Sequence, residues 1–336
     1  MTDPDLRETA KAMVRPGTGI LAADESVATI TSRFEALGIE SNEDTRRAYR
    51  ELLVGAPGIE AHISGVILFD ETFRQSSADG VLIPELLAKR GILPGIKVDT
   101  GAKPLAGAPG ETVTEGLDGL RQRIADYRAL GARFAKWRAV LSIGDDRPTR
   151  RAVVANAHAL ARYAALCQEG GLVPIVEPEV LMEGDHDAER CQEVTRNALT
   201  EVFAQLQLAD VDLAAIVLKP SMVLPGKGAP SASPDTVAAA TVECLRATVP
   251  DTVPGITFLS GGQSPSSATE HLAAMVGLGG HPWTLSFSYG RAIQDDVLRT
   301  WGGDAAKSDA ARAILLERVR ANGTAALGRV SVAGSG

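Results

Sequence analysis

Eight short apolar runs, each ending in polar or glycine-rich residues, recur along the chain: GILAADES at 19–26, GVILFDE at 65–71, GIKVD at 95–99, FAKWR at 134–138, VPIVEPE at 173–179, AIVLKPS at 215–221, ITFLSGGQS at 256–264 and TLSFSYGR at 284–291. Runs this short, bounded by breakers, predict strands buried on both faces rather than surface helices. Between most of them the apolar residues fall at helical spacing. Asn42 is placed to cap a helix carrying Tyr49, Leu52, Leu53 and Ala56, and Thr114 one carrying Leu117, Leu120, Ile124 and Tyr127. A third stripe runs through Cys191, Val194, Ala198 and Val202, and a fourth helix opens at Ser233-Pro234 with Val237, Thr241 and Cys244 inward. Strand–helix alternation repeated eight times predicts parallel strands closed into an α/β (β/α)8 TIM barrel. No linker or low-complexity block divides the 336 residues, so one barrel domain is expected over 1–336, with a short N-terminal extension and a mobile tail at about 328–336.

Composition narrows the functional classes. Apolar residues make up 45% and charged residues 23%, the balance of a globular protein with a large core. A net charge of −8 argues against a nucleic-acid or anionic-membrane surface, which needs clustered positive charge. The three cysteines, Cys167, Cys191 and Cys244, are widely spaced and odd in number, which points to core thiols in a reducing compartment rather than a disulfide framework or zinc cluster. The N-terminal MTDPDLRETAKAM lacks an apolar signal core, so a cytoplasmic location is expected. GDHD at 184–187 reads as a loop or helix start rather than a metal site, because His186 lacks further nitrogen or sulfur donors nearby.

In a barrel of this kind the active site collects at the carboxyl ends of the strands, and the residues there are Asp24, Asp70, Lys97, Lys136, Arg138, Glu177, Glu179 and Lys219. Ionisable groups of both signs near an apolar core are costly unless paired, so a ring of them is better explained by catalysis than by structure. Lys219 leaves a buried strand as a partly desolvated amine, the form that attacks a carbonyl, and Lys136 nearby would help keep it unprotonated. Glu177 and Glu179 lie two apart across Pro178, on one face of an extended strand, where a shared proton is plausible and either can transfer protons. The last two strand ends differ in kind. SGGQS carries Ser260 and Gly261, and SYGR carries Gly290 and Arg291 at a helix start, a combination suited to phosphate. A dinucleotide fingerprint is missing, and PGKG at 225–228 lacks the rest of a P-loop.

These runs, taken in order from about Gly17 to Trp301, resemble the class I fructose-1,6-bisphosphate aldolases. The resemblance implies that Lys219 forms a Schiff base with dihydroxyacetone phosphate and that Glu177 is the acid/base, supported by Glu179, Lys136, Asp24 and Arg138. It further implies that Ser260, Gly261, Gly290 and Arg291 hold the phosphate near C1, that Ser26, Thr29 and Lys97 hold the distal phosphate, and that no metal or other cofactor is used. A phosphorylated ketose is the implied partner, with no nucleic acid or membrane, and a homotetramer is the implied assembly. Three positions depart from the animal pattern: Ser32, Thr100 and Ser221. The stretch after Trp301 contains no aromatic residue, so Glu177 or bound water is expected to protonate the enamine in place of a tail tyrosine. Two rival readings are a barrel acting on sedoheptulose bisphosphate or fructose 1-phosphate, and a non-catalytic barrel that binds phosphosugar without turnover.

Overall fold

The structure, a computed structural model, describes residues 4–329. In chain order the strands are β1 (Gly19–Ala23), β2 (Ile63–Leu68), β3 (Leu93–Lys97), β4 (Ala102–Pro104), β5 (Thr112–Thr114), β6 (Phe134–Leu141), β7 (Val173–Val180), β8 (Val217–Leu218), β9 (Gly255–Phe258) and β10 (Thr284–Tyr289). The helices are α1 (Pro4–Met13), α2 (Val27–Glu35), α3 (Glu43–Gly55), α4 (Asp70–Arg74), α5 (Ile83–Lys89), α6 (Leu120–Ala129), α7 (Arg150–Glu169), α8 (Ala188–Leu208), α9 (Pro234–Thr248), α10 (Pro265–Gly277), α11 (Arg291–Trp301) and α12 (Ser308–Ala325). Eight strands close into a barrel in the order β1-β10-β9-β8-β7-β6-β3-β2, the (β/α)8 architecture expected from the apolar runs. β4 and β5 form a separate antiparallel hairpin.

Two apolar layers result from the two faces of the strands. Outward residues such as Leu21, Val66, Trp137 and Phe258 pack under the helices. Inward residues Ile20, Ala22, Ile67, Phe134, Val173, Ile175, Ala215 and Val217 fill the barrel, and Leu6, Ala10, Met13 and Val14, from α1 and the residue after it, join this inner cluster. Phe134 is admitted by glycine: a Cβ on Gly95 would stand 2.1 Å from the ring. The helix caps follow from short polar side chains that accept from the third amide onward: Asn42 from Thr45, Asp187 from Arg190, Ser233 from Thr236 and Ser264 from Ser267.

Three local expectations are corrected. Thr114 does not cap a helix: it ends β5, its hydroxyl donates to the Arg138 carbonyl at 2.7 Å, and α6 begins only after Gly119 in the left-handed region. The hairpin intercepts the segment that local spacing assigned to a longer helix. The strand around Lys219 is only Val217–Leu218, because Asp212 caps a 3-10 turn over Leu213–Ala215, its carboxylate accepting from the Ala214 amide. Lys219 still follows the ladder, its amide donating to the Val176 carbonyl at 2.8 Å. Asp70 stands outside the ring of charges, since it opens α4 and pairs with Arg74 at 2.8 Å and with the Tyr127 hydroxyl at 2.7 Å. The tail expected at about 328–336 lies, from residue 330 onward, outside the described residues.

Candidate active site

Strand parity builds the site. Phe134, Ile175, Val217 and Ala22 face the barrel interior, and a strand returns to the same face every second residue. Two steps above each apolar plug residue the chain therefore delivers Lys136, Glu177, Lys219 and Asp24, with Arg138 and Glu179 one further step out. Lys136 Nζ lies 2.9 Å from Asp24 Oδ2 and 3.0 Å from Glu177 Oε2, and Lys219 Nζ lies 3.2 Å from Glu177 Oε1. The side chains of Lys219, Glu177 and Lys136 are 3%, 4% and 5% exposed, so their charges interact without much screening by water.

The two lysines respond oppositely to burial. For Lys219, desolvation lowers the pKa, Glu177 opposes that, and the neighbouring Lys136 ammonium adds to it, leaving the amine easier to deprotonate than an ordinary lysine. For Lys136, desolvation is outweighed by Asp24 and Glu177, so its pKa rises and it remains an ammonium. Burial alone would raise the Asp24 pKa, but Lys136 and then Lys219 hold the carboxyl well below its usual range. One lysine is thus a fixed cation and the other an available nucleophile. Glu177 Oε2 lies 3.0 Å from Lys136 Nζ but receives no hydrogen bond among the described residues, which leaves a buried acceptor for a ligand hydroxyl.

Glu177 and Glu179 share a strand face, but they take different cations. Glu179 is bound to Arg138, whose guanidinium is pulled down by burial and raised more by that carboxylate, so a proton shared between the two glutamates is not what this geometry offers. Ser260 is buried at the end of β9, and Gly261 and Gly262 follow in the left-handed region at φ 59° and 90°. Gly290 is the N-cap of α11 and Arg291 its first residue, on the exposed rim. Ser26 caps α2, its hydroxyl 3.0 Å from that of Thr29, and both are exposed or half-buried at the mouth. Lys97 pairs with Asp99 Oδ1 at 3.3 Å.

Residue spacing missed two groups. Asp99, two residues after Lys97, also accepts the Arg138 amide at 3.2 Å and so ties β3 to β6. Glu25, next to Asp24, is held by Arg33 from α2, by Arg50 from α3 at 2.8 Å and by Gln294 from α11 at 3.0 Å. Arg33 and Arg50 come from the next two helices, but Gln294 comes from the far end of the chain, so only the adjacency to Asp24 could have flagged it. Ser221, a departure from the animal pattern, makes a two-way bridge: it donates to the Val180 carbonyl at 2.9 Å and accepts the Val180 amide at 3.0 Å, fastening the loop after β8 to β7. At GDHD, Asp187 caps α8, and no cluster of metal-binding side chains occurs among the described residues.

Residues 5–335 match the model of the family described as fructose-bisphosphate aldolase class-I, of the glycolytic type. The chain is 57% identical over 331 residues to a probable fructose-bisphosphate aldolase class 1 of Xanthomonas campestris pv. campestris, covering 98% of this chain and 99% of that one. It is 50% identical over 333 residues to the cytosolic fructose-bisphosphate aldolase 5 of Arabidopsis thaliana, covering 99% and 93%. Among solved structures, the fructose-bisphosphate aldolase of Plasmodium falciparum superposes with a TM-score of 0.96 at 45% identity, covering 97% of this chain and 95% of that one.

Proposed function

The chain belongs to the class I fructose-bisphosphate aldolase family, and from that premise we propose that Lys219, Glu177 and Lys136 carry a Schiff-base cleavage of fructose 1,6-bisphosphate. The enzyme is a carbon–carbon lyase that reversibly yields dihydroxyacetone phosphate and glyceraldehyde 3-phosphate. The observation that carries the residue assignment is a lysine of lowered pKa, 3.2 Å from a carboxylate that is itself anchored by a permanently charged second lysine.

Glu177, 3.2 Å from Lys219 Nζ, takes the proton that Lys219 gives up on becoming a neutral amine; the amine attacks C2 of the ketose, and the carbinolamine loses water to form the iminium when Glu177 returns that proton to the departing hydroxyl. Glu177, now a carboxylate, takes the C4 hydroxyl proton as the C3–C4 bond breaks, and the electron pair moves into the iminium to form an enamine. The aldehyde leaves. Protonation of the enamine carbon and hydrolysis of the imine return Lys219 and release the second triose phosphate. Lys136 stabilises the Glu177 carboxylate while Asp24 anchors Lys136. Arg138 and Glu179 hold the outer rim. Ser260, Gly261, Gly290 and Arg291 take the phosphate near C1, and Ser26, Thr29 and Lys97 the distal one.

Reduction with borohydride in the presence of substrate, followed by peptide mass mapping, tests the assignment. The adduct is expected on the peptide containing Lys219; an adduct on the Lys136 or Lys97 peptide instead would reject it. Comparing kcat/KM for fructose 1,6-bisphosphate with that for fructose 1-phosphate and sedoheptulose bisphosphate measures the substrate preference, and cleavage of any of them excludes a purely binding role.

A further inference from the structure

Lys227 lies in PGKG, a loop to which no part of the mechanism above assigns a task. The loop is fixed in place. Backbone amides of Gly226, Lys227 and Gly228 donate to the carbonyls of His186, Met182 and Gly184, each at 2.8 Å, so the loop after β8 is laced onto the loop after β7. Gly226 permits the close approach: a Cβ there would stand 2.4 Å from the Gly184 carbonyl oxygen. The lacing points Lys227 at the glycine turn that follows β9. A Cβ built on Gly262 would lie 3.2 Å from Lys227 Nζ and 3.6 Å from a terminal nitrogen of Arg291, so the two cations converge on the same spot.

We propose that Lys227 is a second cationic residue of the phosphate site at Ser260–Gly262, sharing the substrate's C1 phosphate with Arg291 and setting affinity for that group. The proposal rests on the phosphate reading of that loop given above. Charge balance supplies the argument. A phosphate monoester carries about −1.5 to −2 at neutral pH, and Arg291 alone provides a single positive charge. Lys227 Nζ lies 2.8 Å from Glu183 Oε1. That hydrogen bond keeps the Glu183 carboxyl below its usual range, and the field of Arg291 contributes as well, which places all three groups within electrostatic reach of one another. Glu183 therefore acts as a stand-in counter-ion that competes with the phosphate for Lys227.

The competition separates a binding role from a structural ion pair, because the two single variants then have opposite effects. Lys227→Met is expected to raise KM roughly tenfold for both fructose 1,6-bisphosphate and fructose 1-phosphate, with Lys227→Arg staying near the parent enzyme. Glu183→Gln, which frees the lysine, is expected to lower KM for both. Arg291→Ala serves as the benchmark for the same site. If Lys227→Met and Glu183→Gln change the melting temperature alike and leave KM alone, the pair is structural and the proposal fails. It also fails if Lys227→Met affects only the bisphosphate, since the lysine would then serve the distal phosphate. Should Arg291→Ala also leave both KM values unchanged, the phosphate reading of the β9 loop falls with it; a KM increase in Arg291→Ala alone overturns only the role of Lys227.

Discussion

Glu177→Gln isolates the proton-transfer step from the electrostatics around it. The substitution keeps shape and volume, removes one negative charge, and replaces an oxygen that can carry a proton by an amide that cannot. Two consequences follow from the distances. With the carboxylate gone, Lys219 loses the one group within 3.2 Å that holds its proton, so its pKa falls further below the ordinary lysine value and the amine stays nucleophilic. Initial addition to C2 therefore survives. Dehydration of the carbinolamine and removal of the C4 hydroxyl proton do not, and loss of a positioned acid/base costs about 10²–10⁴-fold in kcat, or about 3–5 kcal/mol of transition-state stabilisation. Stability should suffer less than the 3–5 kcal/mol typical of an orphaned buried charge, because Lys136 keeps Asp24 at 2.9 Å. Steady-state kinetics across pH, borohydride trapping and urea unfolding of the same preparation measure the three effects separately. A kcat within tenfold of the parent enzyme, with the fold intact, would refute the role of Glu177.

Lys136→Met removes the ammonium that discourages protonation of Lys219 and leaves Asp24 and Glu177 with Lys219 as their cation. The Lys219 pKa moves up, the neutral fraction at a given pH drops, and the acid limb of the pH profile of kcat/KM is expected to shift to higher pH. A limb that stays put or moves to lower pH contradicts the assignment of Lys136 as a fixed cation. Gly95→Ala tests the packing under the site: the new methyl would overlap the Phe134 ring and cost about 1–3 kcal/mol in urea unfolding, with part of the loss recovered by adding Phe134→Leu.

The order of apolar runs determined the barrel, because a parallel strand buried on both faces needs continuous apolar sequence and its crossover helix needs the 3.6 period; both are local properties. The same runs, ended by polar residues, located Asp24 and Lys219 just past their strands, whereas Lys136 and Glu177, read as ends of runs, lie within β6 and β7, which continue to Leu141 and Val180. Parity within each strand was also legible, which is why Glu177 and Glu179 were placed on one face. What a run cannot state is which face is the interior. That choice was made by the tertiary structure when Phe134 and the other plug residues filled the barrel, and it turned Asp70 outward while sending Asp24 in. The division of labour between the lysines was likewise not local, since Lys136 meets Asp24, 112 residues away at the end of β1, while Lys219 meets Glu177 from the neighbouring strand β7. Lys227 beside Gly262 belongs to the same class. Each lysine is an unremarkable charge in its own segment, and long-range closure of the barrel determines which opposite or like charge it meets.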